Sequence, residues 1–327
     1  MTSQSPGLAR FVLWRSVQAI PLVLGVVAVS FSIMQLTPGD PIAVILGEFP
    51  ASEETVRALR REFGLDEPLW RQLLIYLTRV FRADLGFSFV HREPVLRLIL
   101  ERLPATLLLS GAALLLATVV GTALGIASSR RPTSWLDALV SAVALLGFSM
   151  PVFWLGQLLI VVLSLEFGWL PAQGMVSLRS DPSGWARALS VAHHLVLPSL
   201  TLSASFLALN SRITRTSMLE VLRQEYITVA RAKGLSEARV VYVHALRNAI
   251  LPLVTVVGFN CSYLLAGSAF VETIFAWPGI GRLLYDSVLA RDHPLILGVF
   301  LVVSIGVILI NLLTDVAYAY LDPRVRY

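Results

Sequence analysis

Six long runs without a charged side chain restrict the folds open to this chain. Each run has 22 to 28 residues, and about 20 apolar residues suffice for a helix to cross a bilayer. Only 14% of the residues are charged, against about 25% in soluble domains. Membrane barrel strands would alternate apolar and polar residues, whereas these runs are continuous. The sequence therefore predicts an all-α integral membrane protein with six transmembrane helices. The runs are 16–39, 103–129, 138–165, 188–211, 248–271 and 293–314.

The basic residues indicate which helix ends face the cytoplasm. Arginine pairs lie before the first run, between the second and third, and after the sixth, and segment 212–247 holds seven basic and three acidic residues. Loops 166–187 and 272–292 have mixed charges. Because basic residues concentrate in cytoplasmic loops, we expect both termini and segment 212–247 in the cytoplasm. This distribution accounts for the net charge of +5, so no nucleic-acid partner is expected. The pairs are Arg10 and Arg15, Arg130 and Arg131, and Arg324 and Arg326.

The first run has some features of a secretory signal peptide. Basic residues precede it, and Ala28-Val29-Ser30 resembles a cleavage site. The run continues to Gly39, beyond the roughly 7–15 residues of a signal core, so retention as an anchor helix is favoured over cleavage. Cleavage would leave the orientation of the other helices unchanged. The predicted parts are residues 1–102, with the first helix and an extracytoplasmic insert, residues 103–319, with five helices and the cytoplasmic loop, and a cytoplasmic tail, residues 320–327.

The insert at residues 40–102 is expected to contain two helices on the outer side. Ser52 can cap the first helix and Gly64 can end it. The second is expected to begin near Asp66, with Pro68 in its first turn. Packing cover for the bundle and a docking role both remain open for these helices.

Glycine and proline give further expectations for the membrane helices. Pro104 is expected to open the second helix, and Gly121 and Gly125 have the spacing of close helix packing. Pro151 interrupts the third run and frees a backbone carbonyl, which requires packed neighbours or a water-lined cavity. Helix packing is the favoured explanation there.

Segment 212–247 is predicted to fold outside the membrane as two helices joined by a tight turn. Residues 217–233 contain neither Gly nor Pro and suit a helix. Gly234 is a suitable left-handed stop, and Ser236 can cap a second helix with Glu237 in its first turn. Small side chains beside the turn would let a partner approach the backbone closely. A loop that only fixes topology is the simpler interpretation, but 36 residues are more than it needs.

The same segment resembles a known loop. EYITVARAKGLS, which begins at Glu225, and HALRNAILP, which begins at His244, look like the EAA loop of ABC importer permeases, in the version of the dipeptide and oligopeptide branch. Aligned on Gly234, the sequence keeps the second Ala and the Leu of the broader pattern at Ala230 and Leu246. It departs from that pattern at Thr228, Val229, His244 and Arg247. Thr228 stands where the pattern has Glu, which weakens the case for an acidic contact at position 228.

Further stretches in the same order are typical of this branch, so the resemblance covers nearly the whole chain. They are LTPGDP from Leu36, ADLGFS from Ala83 (where Gly is more usual first), RLPATL from Arg102, VETIFAWPGIG from Val271 and DPR from Asp322.

The resemblance implies a type I ABC importer (MetI-like) permease of the prokaryotic plasma (inner) membrane. Such a chain would form half of a pore in lipid, with a second homologous permease, two ATP-binding subunits or domains and an extracytoplasmic solute-binding protein. The loop would be the coupling helix that sits in a groove of the ATP-binding subunit. The residues expected to take part are Glu225, Tyr226, Thr228, Ala230, Arg231, Ala232, Lys233, Gly234 and Leu235.

The energy source is expected on a partner. A P-loop requires Gly-Lys-Ser/Thr, but Lys233 is the only lysine and stands between Ala232 and Gly234. We therefore expect ATP on the partner subunits, and no catalytic, cofactor or metal site in this chain. An ion-coupled secondary transporter is the alternative, but the runs contain no carboxylate relay of the kind such proteins use. The histidines lie near helix ends, which argues against a membrane enzyme.

Four polar residues inside the runs are candidates for the translocation path because polar atoms avoid lipid. A helix–helix hydrogen bond is the alternative for each. The outer turn at 272–281 is a candidate gate or docking edge, although interfacial anchoring by Trp277 is simpler. The resemblance implies di- or oligopeptides as the solutes, with nickel, glutathione or another small solute as alternatives. The four candidates are Ser149, Asn210, Asn260 and Ser268.

Overall fold

The computed structural model describes residues 6–36, 66–88, 90–177 and 183–321, together with positions 52, 54 and 57. Apart from those three positions, the first predicted helix of the insert lies outside the described residues. The described chain is helical apart from loops and one small hairpin of two antiparallel strands of two residues each, as the all-α prediction requires. The tail beyond Leu321 also lies outside the described residues.

The elements follow one another in this order. They are α1 (Pro6–Leu36), α2 (Leu69–Phe81), β1 (Phe87–Ser88), β2 (Glu93–Pro94), α3 (Val95–Arg130), α4 (Trp135–Ser149), α5 (Val152–Leu159), a π-helical segment (Ile160–Glu166), α6 (Gly184–Leu222), α7 (Glu225–Ala232), α8 (Glu237–Arg239), a second π-helical segment (Val240–Ala245), α9 (Leu246–Ala249), α10 (Leu251–Gly267), α11 (Ala269–Ile274), α12 (Ile280–Leu289) and α13 (His293–Leu321).

Four described helices are long and apolar enough to cross a membrane, and the number is six if each of two bent pairs is one span. The sharper of the two bends lies in the third predicted run, where α4 and the helical segment after it meet at an angle of 110°. Met150 is extended there, with ψ 132°, as expected for a residue that precedes a proline. The fifth run bends by 56° next to Ile250. The expectation that Pro104 opens the second helix is wrong, because α3 begins at Val95.

Helices α3 and α6 cross closely at two glycines, which confirms the packing predicted for them. A Cβ atom on Gly121 would lie 2.8 Å from the carbonyl oxygen of Leu207, and one on Gly125 would lie 2.6 Å from that of Ser211. Both distances are too short for a real contact, so the two backbones can approach this closely only because glycine has no Cβ atom. Further towards the start of both helices, Leu109 of α3 and Leu197 of α6 belong to the main apolar core.

The first and last helices meet at the end of the bundle that carries segment 212–247. Arg15 near the start of α1 forms a 3.2 Å ion pair with Asp315 near the end of α13. Ser262 on α10 donates a 2.8 Å hydrogen bond to Asn311, and a Cβ atom on Gly258 would clash with Thr314. These contacts run antiparallel, so the end of α13 points towards the start of α10, which follows the segment.

At the opposite end, the insert attaches to the long helices by a few contacts. Tyr76 of α2 lies 6.0 Å from Phe31 of α1 between ring centroids, and Gln35 donates a 2.7 Å hydrogen bond to Gln72. The β-hairpin attaches to the residue before α13 through a buried hydrogen bond from Ser88 to Asp292. Helix α2 begins after Pro68, which is its N-cap and not part of its first turn.

Candidate coupling site

Helix α7 packs one side of its surface against the helix bundle. Ile227 is fully buried and Ala230 is 7% exposed, and both belong to an apolar cluster with Met218 of α6 and Ile126 of α3. Residues three apart share one helix face. The return segment completes the cluster through Val240 and its neighbours. We call residues 225–245 the loop hairpin.

The continuous helix predicted for residues 217–233 is wrong, because the chain breaks at Arg223 and Gln224. Gln224 is extended, with ψ 147°. Ile227 follows Met218 by nine residues, which is about two and a half helical turns, so a continuous helix would place them on opposite faces. The break allows both side chains to enter one apolar cluster.

The turn of the loop hairpin is a Schellman motif centred on Gly234, as the left-handed stop predicted there requires. Gly234 has φ +76°. Its N–H donates to the carbonyl of Arg231 at 2.9 Å, and the N–H of Leu235 donates to that of Ala230 at 3.4 Å. This is the 5→2 and 6→1 pattern that satisfies the last carbonyls of a helix. Leu235 and Ala230 also share the apolar cluster, which fixes the direction of the returning chain.

The predicted coupling residues divide between two surfaces. Ala230 faces inward and Leu235 is half-buried, so the small side chain of Ala230 allows close packing on the bundle. The other predicted residues are exposed on the outer surface of α7 and its turn. They are Glu225, Tyr226, Thr228, Arg231, Ala232, Lys233 and Gly234.

Hydrogen bonds brace the exposed side of the loop hairpin. Arg231 donates to Glu237 across the turn at 2.8 Å, and this hydrogen bond lowers the pKa of the Glu237 carboxyl. Asn248 donates to the hydroxyl of Tyr226 at 2.7 Å, which joins α7 to α9. The expected helix start at Ser236 is present, although its side chain makes no capping bond. The loop hairpin therefore presents polar side chains from a fixed backbone.

The four candidate residues of the translocation path lie in three different environments. Asn260 donates a 3.1 Å hydrogen bond to Asn210, so this buried pair joins α10 to α6. Ser268 is buried and donates to Glu272 at 2.8 Å. Ser149 is exposed at the end of α4, where the third span bends. The structure brings only the two asparagines together, and a role in translocation stays a prediction for all four.

The outer turn at 272–281 folds into the bundle around Glu272, a role that the sequence did not indicate. The buried carboxylate accepts hydrogen bonds from Thr106 at 2.8 Å and from the N–H of Arg282 at 3.1 Å. A Cβ atom on Gly279 would lie 2.3 Å from this carboxyl group, so the glycine is the signal that could have indicated it. The interfacial position expected for Trp277 is wrong, because the ring is fully buried and its Nε1 donates to a backbone carbonyl at 2.8 Å.

Over the part of the chain that the structure describes, no group of three or more His, Cys, Asp or Glu side chains could hold a metal ion. The exposed polar side chains of the loop hairpin are the candidate site, because they project from a backbone that is packed on the bundle.

Two family models together cover most of the sequence. Residues 117–327 match the model described as "Binding-protein-dependent transport system inner membrane component". The chain belongs to this family. Its residues 8–110 match the corresponding N-terminal model, "Binding-prot-dependent transport system membrane comp, N-term". This family member is thus a multi-pass membrane component of a transport system, with a pore-subunit role and no enzymatic one.

Similar curated proteins are transport permeases that match over almost their whole length. The dipeptide transport system permease protein DppB of Escherichia coli (strain K12) is 40% identical, with 98% of this chain and 99% of that protein covered. A putative peptide transport system permease protein of Brucella abortus (strain 2308) is 42% identical, with 98% and 100% covered. The di/tripeptide transport system permease protein DppB of Pseudomonas aeruginosa (strain UCBPP-PA14) is 41% identical, with 94% and 96% covered.

A solved structure has a similar fold. A chain of the MetNI methionine ABC transporter in inward-facing conformations superposes with a TM-score of 0.55 at 19% identity, covering 69% of this chain and 96% of that chain. At this identity the likeness concerns the fold alone, and it confirms the MetI-like architecture expected from the sequence.

Proposed function

We propose that this chain is the permease subunit of an ATP-driven, binding-protein-dependent importer of di- or oligopeptides. The relatives are named for dipeptide, di/tripeptide and peptide transport and match over nearly their full length. The observation that carries the coupling role is the loop hairpin. Its inner face is buried on α3 and α6, and its outer face offers exposed polar side chains.

In this proposal the exposed face of α7 docks on an ATP-binding subunit in the cytoplasm of a prokaryotic cell. ATP binding would favour one arrangement of the partner, and contacts specific to that arrangement would bias the permease. The remaining partners are a second homologous permease, a second ATP-binding subunit or domain, and an extracytoplasmic solute-binding protein. Because the loop follows the fourth of six proposed spans, a cytoplasmic loop places both termini in the cytoplasm as well.

Uptake by the assembled complex tests the function. The chain is purified with its co-encoded subunits, placed in liposomes, and assayed for ATP hydrolysis and for entry of a labelled mixture of di- and tripeptides. We expect uptake that requires ATP and the binding protein. Uptake without any ATP-binding subunit would contradict the proposal and support the ion-coupled class. Uptake of nickel or glutathione in place of peptides would correct the solute alone.

Thiol labelling tests the topology separately. Lys233 is exposed on the loop hairpin, and the single native cysteine, Cys261, is removed by substitution with alanine. In this background, Lys233→Cys is expected to react with a membrane-impermeant maleimide only after the cells are opened. Labelling in intact cells would place the loop hairpin outside and refute the docking role.

A further inference from the structure

Asp137, in the first turn of α4, is a buried carboxylate with a complete set of hydrogen bonds. Arg215 of α6 binds it with two parallel bonds, 2.6 Å from Nε to Oδ1 and 2.7 Å from an Nη to Oδ2. The hydroxyl of Ser128 donates to the same carboxylate, and the N–H of Thr133 donates at 2.9 Å. Bidentate arginine–carboxylate pairs fix orientation as well as distance. The contact therefore holds the base of α4 in one arrangement against α3 and α6.

The pair lies beside the loop hairpin. Arg215 precedes Met218 by one helical turn on α6, and Met218 is buried beneath the hairpin. Ser128 follows Ile126 of α3, which belongs to the same apolar cluster. Because α6 continues to within two residues of α7, Arg215 belongs to the element from which the hairpin projects.

The other end of α4 is the bend of the third span. The helix runs from Trp135 to Ser149, and the chain then turns by 110° at Met150 and Pro151. A helix of 15 residues is about 22 Å long. It carries no proline or glycine break before Gly147, so a shift at its base moves the bend.

We propose that the Asp137–Arg215 pair is the positioning contact that transmits movement of the loop hairpin to the bend at residues 149–151. Packed interfaces of this kind move as rigid bodies and change arrangement as units. The inference rests on the proposed function, because it requires a partner that moves the hairpin. Asp137 and Arg215 bond to each other and to residues of α3 and of the turn between α3 and α4, so the pair acts through the position of α4.

Two mild substitutions separate transmission from simple stability. Arg215→Lys keeps the positive charge but loses the planar fork that makes both bonds. Asp137→Asn keeps the shape of the side chain and removes its charge. The matched control is Asp286→Asn, which makes the same chemical change in an exposed pair with Arg282 at 3.8 Å. All are measured in the complete complex in liposomes, as peptide uptake and ATP hydrolysis in the same vesicles.

We expect both variants to assemble and to hydrolyse ATP at nearly the normal rate. Uptake per ATP should fall by about 2- to 30-fold, the range for residues that carry coupling between sites, and Asp286→Asn should not change it. Unchanged uptake per ATP in Arg215→Lys would overturn the inference. So would a parallel loss of assembly, hydrolysis and uptake, which would indicate a purely structural contact. If the unsubstituted complex shows no ATP-dependent uptake, the proposed function itself fails.

Reactivity at the bend gives a second measurement that does not depend on uptake. Met150→Cys is introduced with Cys261→Ala, and its reaction rate with a small maleimide is compared with and without ATP and vanadate. We expect the nucleotide to change this rate in the otherwise unsubstituted complex. Arg215→Lys should abolish most of that change. An equal nucleotide-dependent change in both would show that the pair does not transmit movement.

Discussion

Gly234 is the position where one substitution should disturb the loop hairpin without touching the bundle. Its φ of +76° is unfavourable for any residue with a Cβ atom, yet a Cβ atom built there has no neighbour within 4 Å. The free-energy cost of a substitution at this position therefore comes from the backbone conformation alone. A left-handed conformation costs an L-residue about 1–2 kcal/mol, and a β-branched residue is a clear outlier there.

The expected effect follows from this cost. If the backbone leaves the left-handed region, the two Schellman bonds from Gly234 and Leu235 are lost, and with them the direction of the returning chain. A penalty of 1–2 kcal/mol is a factor of about 5 to 30 in the population of the native turn. Apparent affinity for a partner falls with the competent fraction. Gly234→Val should therefore weaken ATPase association by up to about 30-fold, while membrane insertion is retained.

The assay is a binding titration of ATP-binding subunits against the purified permease complex in lipid nanodiscs, with peptide uptake as a second readout. Gly234→Asn is the matched control, because Asn adopts the left-handed conformation far more readily than other non-glycine residues. We expect the order Gly, Asn, Ala, Val from strongest to weakest association. Equal association of the Val and Asn variants would refute the backbone argument, and full transport by Gly234→Val would contradict the docking role of the hairpin.

Two further predictions concern the bundle. Gly125→Ala should lower the temperature of thermal unfolding in detergent, because its Cβ atom would lie 2.6 Å from the carbonyl oxygen of Ser211 and overpacking costs about 1–3 kcal/mol. Gly111→Ala is the control, because a Cβ atom there meets no atom within 4 Å and should leave the unfolding temperature unchanged. An equal effect of both substitutions would contradict the overpacking argument. Trp277→Phe should destabilise the outer end by about 0.5–1.5 kcal/mol, because the carbonyl of Ala105 loses the hydrogen bond from the indole N–H. Hydrogen exchange of that region measures the effect, and unchanged protection would show that the bond contributes little.

Much of the fold could be predicted from composition and spacing. The uncharged runs follow from the cost of burying unpaired polar backbone in lipid, which leaves helices as the solution for continuous apolar sequence. The glycine turn of the loop could be predicted for a similar local reason, since only glycine tolerates a left-handed backbone freely. The bend at Pro151 was marked by its residue type, but its angle of 110° depends on the packing of its neighbours.

The position of the candidate site in the sequence was predictable, but which of its side chains face the bundle was less so. The sequence indicated a helical hairpin that turns at Gly234 within residues 212–247, and its bias in charge indicated a side of the membrane. It did not indicate that Ala230 faces inward or that the helix breaks at Gln224. Both depend on how Ile227 and Met218 share one apolar cluster, which is a contact between separate elements.

Composition and spacing are enough to establish that the chain crosses the membrane in helices and carries a basic, glycine-centred loop between two of them. These features are local, because hydrophobic length, charge and backbone conformation are properties of short segments. The tertiary structure alone decided the bidentate bonding of Asp137 by Arg215, 78 residues away, and the burial of Glu272 and Trp277 in the outer turn. A buried charge or ring needs partners from distant segments, and only the packed bundle brings those segments together.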